Sequence, residues 1–177
     1  MSLAITLDDL LHRPDLGDIV KDIHTRIHDA GHGWILDQAA AATRDTNNTL
    51  TAAAAATGSN LLTLRLPEHP DWVRLGFLDT IARWVTGQAA TCTHNPHPAR
   101  PQPILTAAWK PGLVVCSACA HLLQLPKGSA RDRTCDGCGV IVPGSGTIWS
   151  TAVTHGGLVY QVGVCEPCRY WPLPAAA

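Results

Sequence analysis

The chain has 177 residues, 46% of them apolar and only 15% charged, with a formal net charge of −1; at this length about 70% of the unfolded surface can be buried, so whole-chain disorder is excluded and one ordinary domain or two small ones fit. No run approaches the ~20 consecutive apolar residues of a membrane span. The start, MSLAITLDDLLHRPDLGD, is acidic where a secretory signal is basic, so a cytoplasmic chain with no membrane partner is expected.

Residues 1–90 hold no cysteine and residues 92–177 hold all seven, which places a boundary near TGQAAT. The expected architecture is α+β: an N-terminal helical bundle over 1–90, then a small β-rich region with two structural zinc fingers over 91–177. Thr6 is positioned to cap a first helix, with Asp9 at the capping-box position. In DLGDIVKDIHTRIHDAGHG, Leu16, Ile19, Ile23, Ile27 and Ala30 recur at spacings of three and four, a helical stripe that Gly31 and Gly33 end. WILDQAAAATRDT and TLTAAAAATGS are alanine-rich and predict further helix. NLLTLRLP alternates weakly, as a short strand or an extended connection. Asp71 then precedes WVRLGFLDTIARWVTG, where Trp72, Leu75, Leu78, Ile81, Ala82 and Val85 share one side and Gly87 marks the end.

The second half changes to short β-type runs broken by Gly and Pro: ILTAAW, LVVC, VIV, TIWSTAV and LVYQVGVC. Gly156-Gly157 lies between the last two and predicts a hairpin. Together with the cysteine pairs, these runs suggest zinc-stapled hairpins.

In a reducing compartment, six cysteines in three C-x-x-C pairs argue for metal rather than disulfides. Four ligand clusters follow one another: Cys92 with His94 or His97, Cys116 with Cys119, Cys135 with Cys138, and Cys165 with Cys168. Seven cysteines and one histidine make eight donors, enough for two tetrahedral Zn²⁺ sites per chain. His94 is favoured as the eighth and His97 is the alternative. No pair sits in the βαβ context of a redox motif.

The knuckle-like CDGCG, the hairpin and then CEPCRYW form a sequence of parts that resembles a treble-clef or zinc-ribbon finger. The earlier set, CTH, ILTAAWKPGLVV and CSACAHLLQL, repeats that plan. The resemblance implies sequential pairing, first cluster with second and third with fourth. Two consecutive fingers also look like the tandem arrangement of LIM domains, but fifteen residues separate Cys119 from Cys135 where that family has almost none.

Other constellations carry less. His24, His28 and His32 share a helical face but lack the glutamate of H-E-x-x-H, so a solvated stripe is the simpler reading. Trp72 and Trp84 fit a helical core, while Trp109, Trp149 and Trp171 fit shields for the zinc lobes. Residues 1–91 hold seven basic and eleven acidic side chains, and residues 92–177 hold six and three. Once seven thiolates and two Zn²⁺ are included, the second half is near neutral, without the broad basic face that phosphate neutralisation requires. Lys127, Arg131 and Arg133 form the only compact basic segment. A hydrolase or nuclease would need an open zinc position, available only if neither His94 nor His97 binds, with His121 or His155 as the base. A non-catalytic protein-binding adaptor or regulator is therefore expected, with a nucleic-acid-binding regulator and a zinc-dependent hydrolase or nuclease as alternatives.

Overall fold

The structure is a computed structural model and describes residues 2–59, 61 and 64–169. Four α-helices come first: α1 (Leu3–Leu11), α2 (Leu16–Asp29), α3 (Gly33–Thr57) and α4 (Asp71–Val85). Five strands follow: β1 (Ala90–Thr91), β2 (Ile104–Ala107), β3 (Leu113–Cys116), β4 (Trp149–His155) and β5 (Leu158–Val164). Short 3₁₀ turns cover Leu66–Glu68, Ser117–Leu123, Arg131–Arg133 and Glu166–Cys168. The class is α+β, as the two halves of the sequence imply.

Several local expectations shift. Helix α1 begins at Leu3, three residues before its expected cap at Thr6, whose hydroxyl donates back to the Ser2 carbonyl inside the first turn. The two alanine-rich segments form one 25-residue helix, α3, because alanine on both sides outweighs the weak propensity of Asn47 and Asn48. It stops at Gly58, whose φ of 65° is left-handed. Gly33 starts this helix instead of ending α2; a β-carbon there would sit 2.5 Å from Nδ1 of His28. Asp71 is the first residue of α4, and its carboxylate accepts from Arg74 rather than capping a backbone N–H. Of NLLTLRLP, Asn60, Leu62 and Thr63 lie outside the described residues, and Leu66 enters a 3₁₀ turn.

The short strands do not stay separate hairpins. They join one mixed sheet in the order β1-β3-β2-β5-β4. β4 and β5 pair antiparallel around Gly156-Gly157, with Gly156 at a φ of 59°, whereas β2 runs parallel to β5 and β1 parallel to β3. The VIV run makes only an isolated bridge between Thr134 and Ile141.

One sheet face meets helices. Ile104, Leu158, Tyr160, Val162 and Val164 pack with Val73, Phe77 and Leu78 of α4 and Ala4 of α1. Their strand side chains alternate, so the opposite face is available to Ala107 and Val115, which pack with Cys92, Cys116, Cys119 and Leu123. Helix α1 is pinned to α4 by Arg74, whose guanidinium is paired with Asp8 and also donates to the His69 carbonyl. Helix α2 buries no residue, and α3 touches the β4–β5 turn through Ala42, where Gly157 leaves room for it. Among the described residues, no helix is long and apolar enough to cross a membrane.

Candidate metal centres

The first cluster is assembled by the parallel pairing of β1 and β3. Matching Thr91 with Val114 brings Cys92, just past β1, beside Cys116 at the end of β3. The chain then turns tightly: the Asn95 amide donates to the Cys92 carbonyl at 2.8 Å, and Asn95 adopts a φ of 45°. This turn folds His94 back over the cysteines. Cys119 arrives from the 3₁₀ turn that starts right after Cys116.

The second cluster joins a knuckle to the end of β5. The Cys135 amide donates to Val140 and the Gly139 amide returns to Cys135, both at 2.9 Å, with Gly139 at a φ of 74°. Asp136 stitches the knuckle to the sheet: its amide donates to the Gly163 carbonyl, and its carboxylate accepts from the Gly163 amide, each at 2.7 Å. Cys165 and Cys168 follow directly from β5 and its closing 3₁₀ turn.

Each cluster has four donor atoms that lie within 4.8 Å of one another: Cys92, His94, Cys116 and Cys119 in one, Cys135, Cys138, Cys165 and Cys168 in the other. Distances of about 2.3 Å for zinc to sulfur and about 2.0–2.1 Å for zinc to nitrogen imply, around a tetrahedron, S···S near ~3.8 Å and S···N near ~3.6 Å. The Cys92 and Cys116 sulfurs are 3.8 Å apart and those of Cys138 and Cys165 3.7 Å. Nδ1 of His94 lies 3.2 Å from the Cys119 sulfur and 3.5 Å from that of Cys116. These separations are far too long for disulfides, which require about 2.03–2.05 Å. Thiolates and imidazole are also donors that suit zinc.

The electrostatics of the thiols point the same way. Burial raises the pKa of Cys92 and Cys135, but hydrogen bonds from backbone N–H groups and neighbouring thiols overcome it and bring both down to about 7. Burial and the adjacent thiols push Cys119 up to about 11 and Cys168 still higher. A thiolate formed in either cluster disfavours the next, so a cation held there would supply the charge that full deprotonation needs. The Cys165 amide, 3.3 Å from the Cys135 sulfur, is placed to stabilise a thiolate.

The remaining candidates lie elsewhere. His97 is exposed and its Nδ1 accepts from the Ala99 amide at 3.1 Å, outside both clusters. His24, His28 and His32 are exposed and join no group of ligands among the described residues. His121 is exposed on the 3₁₀ turn after Cys116, and His155 packs edge-on against Phe77 with its Nε2 buried and unpartnered. Lys127 is exposed; Arg131 pairs with Asp136 and donates to the Ala108 carbonyl; Arg133 is half-buried.

Trp109 does lie at the first cluster, its indole N–H donating to Leu123 at 2.7 Å. Trp149 instead remains 43% exposed, with the Arg169 guanidinium 4.2 Å above its ring, and Trp171 lies outside the described residues. The pattern of cysteines hides one contributor, Asp136. An acidic residue inside a C-x-x-C pair was the available signal, and its role depends on β5, 27 residues away. No protein-family model, curated protein or solved structure matches this chain.

Proposed function

We propose that the protein is a non-catalytic, zinc-stapled interaction protein, acting as a protein-binding adaptor or regulator. One structural Zn²⁺ would be held by Cys92, His94, Cys116 and Cys119 and a second by Cys135, Cys138, Cys165 and Cys168. The observation that carries this reading is closure: each cluster offers four protein donors at tetrahedral spacing, which leaves no position for the water a catalytic zinc activates. When bound, zinc supplies a cross-link between segments that a small core holds only weakly. In the second lobe the order of knuckle, hairpin and closing turn supports a treble-clef or zinc-ribbon assignment.

A protein partner is favoured over nucleic acid by the surface. Val140 and Ile141 beside the second knuckle are 56% and 53% exposed, and Val20 and Ile23 are open on α2. Exposed apolar groups of this kind suit the core of a protein interface. In the one basic segment, the charge of Arg131 is offset by Asp136.

Zinc per chain tests the metal reading. The full chain should carry two zincs, His94→Ala should carry one, and His97→Ala should keep two. Two zincs in both variants would instead leave the first site with an open position and favour the hydrolase. The partner class is read from salt: a protein complex should survive high salt, whereas phosphate contacts weaken steeply as salt rises.

A further inference from the structure

The two clusters present different chemistry to solvent. In the first, Cys92, Cys116 and Cys119 are all buried, and the exposed donor is the imidazole of His94. In the second, every donor is a thiol, Cys138 is exposed and Cys168 is half-buried. Cys138 stands between Gly137 and Gly139 at the tip of the knuckle, followed by the exposed Val140 and Ile141. Its sulfur lies 3.7 Å from that of the buried Cys165. Oxidation of cysteine follows thiolate character and exposure, and a nearby second thiol resolves the product. The first cluster exposes only a ring that this chemistry leaves unchanged.

We propose that Cys138 is a redox modification site at which a hydroperoxide opens the second cluster selectively. The inference rests on the zinc reading above. The Cys138 thiolate attacks one peroxide oxygen; the O–O bond breaks, giving a sulfenic acid and hydroxide. The Cys165 thiolate then attacks the sulfenic sulfur, the S–O bond breaks, and a second hydroxide leaves. Two thiolates have lost two electrons to form one disulfide, and hydrogen peroxide plus two protons has become two waters. Only Cys135 and Cys168 remain to the second zinc, which departs, while the first zinc keeps its four donors. A dithiol reductant and added zinc reverse the change.

The consequence reaches the helices. Trp72 of α4 packs against Gly137, next to the oxidised residue, and the Cβ of Cys168 lies close to the same glycine. Opening the knuckle therefore loosens the seat of α4 as well as the metal site.

The test uses the full zinc-loaded chain, hydrogen peroxide, a colorimetric zinc indicator and mass-spectrometric peptide mapping. One of two zincs should leave in a fast phase, accompanied by a Cys138–Cys165 disulfide. Cys138→His, which replaces the exposed thiol with an imidazole donor, should hold two zincs and lack the fast phase. Should that variant hold only one zinc, the mapping of the unaltered chain decides. Loss of both zincs at one rate, or first oxidation at Cys92, Cys116 or Cys119, would overturn the assignment. A chain that carries no zinc before oxidant is added would overturn the zinc reading itself.

Discussion

Trp72 and Gly137 approach so closely that a β-carbon at Gly137 would lie 3.2 Å from Cζ2 of the indole and 3.3 Å from Cε2. The first turn of α4 thus rests on the knuckle of the second cluster, a seat that depends on glycine. Gly137→Ala should push the ring outward and destabilise the chain by about 1–3 kcal/mol, the usual range for overpacking. Urea unfolding with zinc content measured in parallel reads this directly. An unchanged midpoint would mean that the indole moves aside at no cost.

Metal removal should reach beyond the two lobes for a related reason. Phe77, Val73 and Leu78 share one apolar core with the strands that lead into Cys165. Structural zinc contributes on the order of 10 kcal/mol in finger peptides, so chelation should lower the unfolding temperature of α4 together with that of the sheet. Helical circular dichroism should fall partially, because α2 and much of α3 bury little against the sheet. A chelated chain whose thermal unfolding matched the metal-loaded one would refute the link.

Asp8 and Arg74 carry the attachment of α1. Both side chains are largely buried, 18% and 11% exposed, and Arg74 also holds the His69 carbonyl and Asp71. Removing one partner of a buried pair costs about 3–5 kcal/mol, and residual exposure of Asp8 reduces this to roughly 2–3 kcal/mol. Asp8→Ala should therefore destabilise clearly, with α1 exchanging its amide hydrogens faster than α4. Equal protection in both helices would show that apolar contacts alone hold α1.

How legible the molecule was depends on the range of each interaction. Helices α2 and α4 could be read from spacing because an apolar stripe is local, and the donors stood out because two residues between cysteines form a local geometric unit. Gly156-Gly157 marked its hairpin for the same reason. What could not be read was long-range: the parallel pairing of β2 with β5 joins Ile104 to Leu158, and nothing in either run specifies that partner. The same holds for Asp136, whose carboxylate matters only because Gly163 folds beside it. Trp149, expected as a shield, sits on the edge strand opposite Val164, next to Cys165, with one side of its ring open to solvent and Arg169 over it. The spacing to Cys92 already favours His94 over His97; the turn at Asn95, with its positive φ, adds the local geometry that sets that imidazole beside the sulfurs.

His155 should give stability a measurable pH dependence. It packs between Phe77 and His69, with ring centroids 5.4 Å and 5.7 Å away, and burial lowers its pKa below the usual histidine value. His69 is lowered as well, by burial and then by His155, with Glu68 opposing and Arg74 reinforcing the shift. A base whose folded pKa is depressed binds its proton more readily in the unfolded chain. Its contribution is therefore present above the unfolded pKa of about 6.5 and is lost as pH falls below it. His155→Phe keeps an aromatic ring against Phe77 but removes that proton, so the fall in urea midpoint between neutral and mildly acidic pH should be shallower than in the unaltered chain. Thiolate protonation and zinc loss affect both chains alike, so the difference between the two profiles reports His155 together with its coupling to His69. Parallel profiles would mean that His155 can charge in place, with its buried Nε2 finding water as the strand end opens.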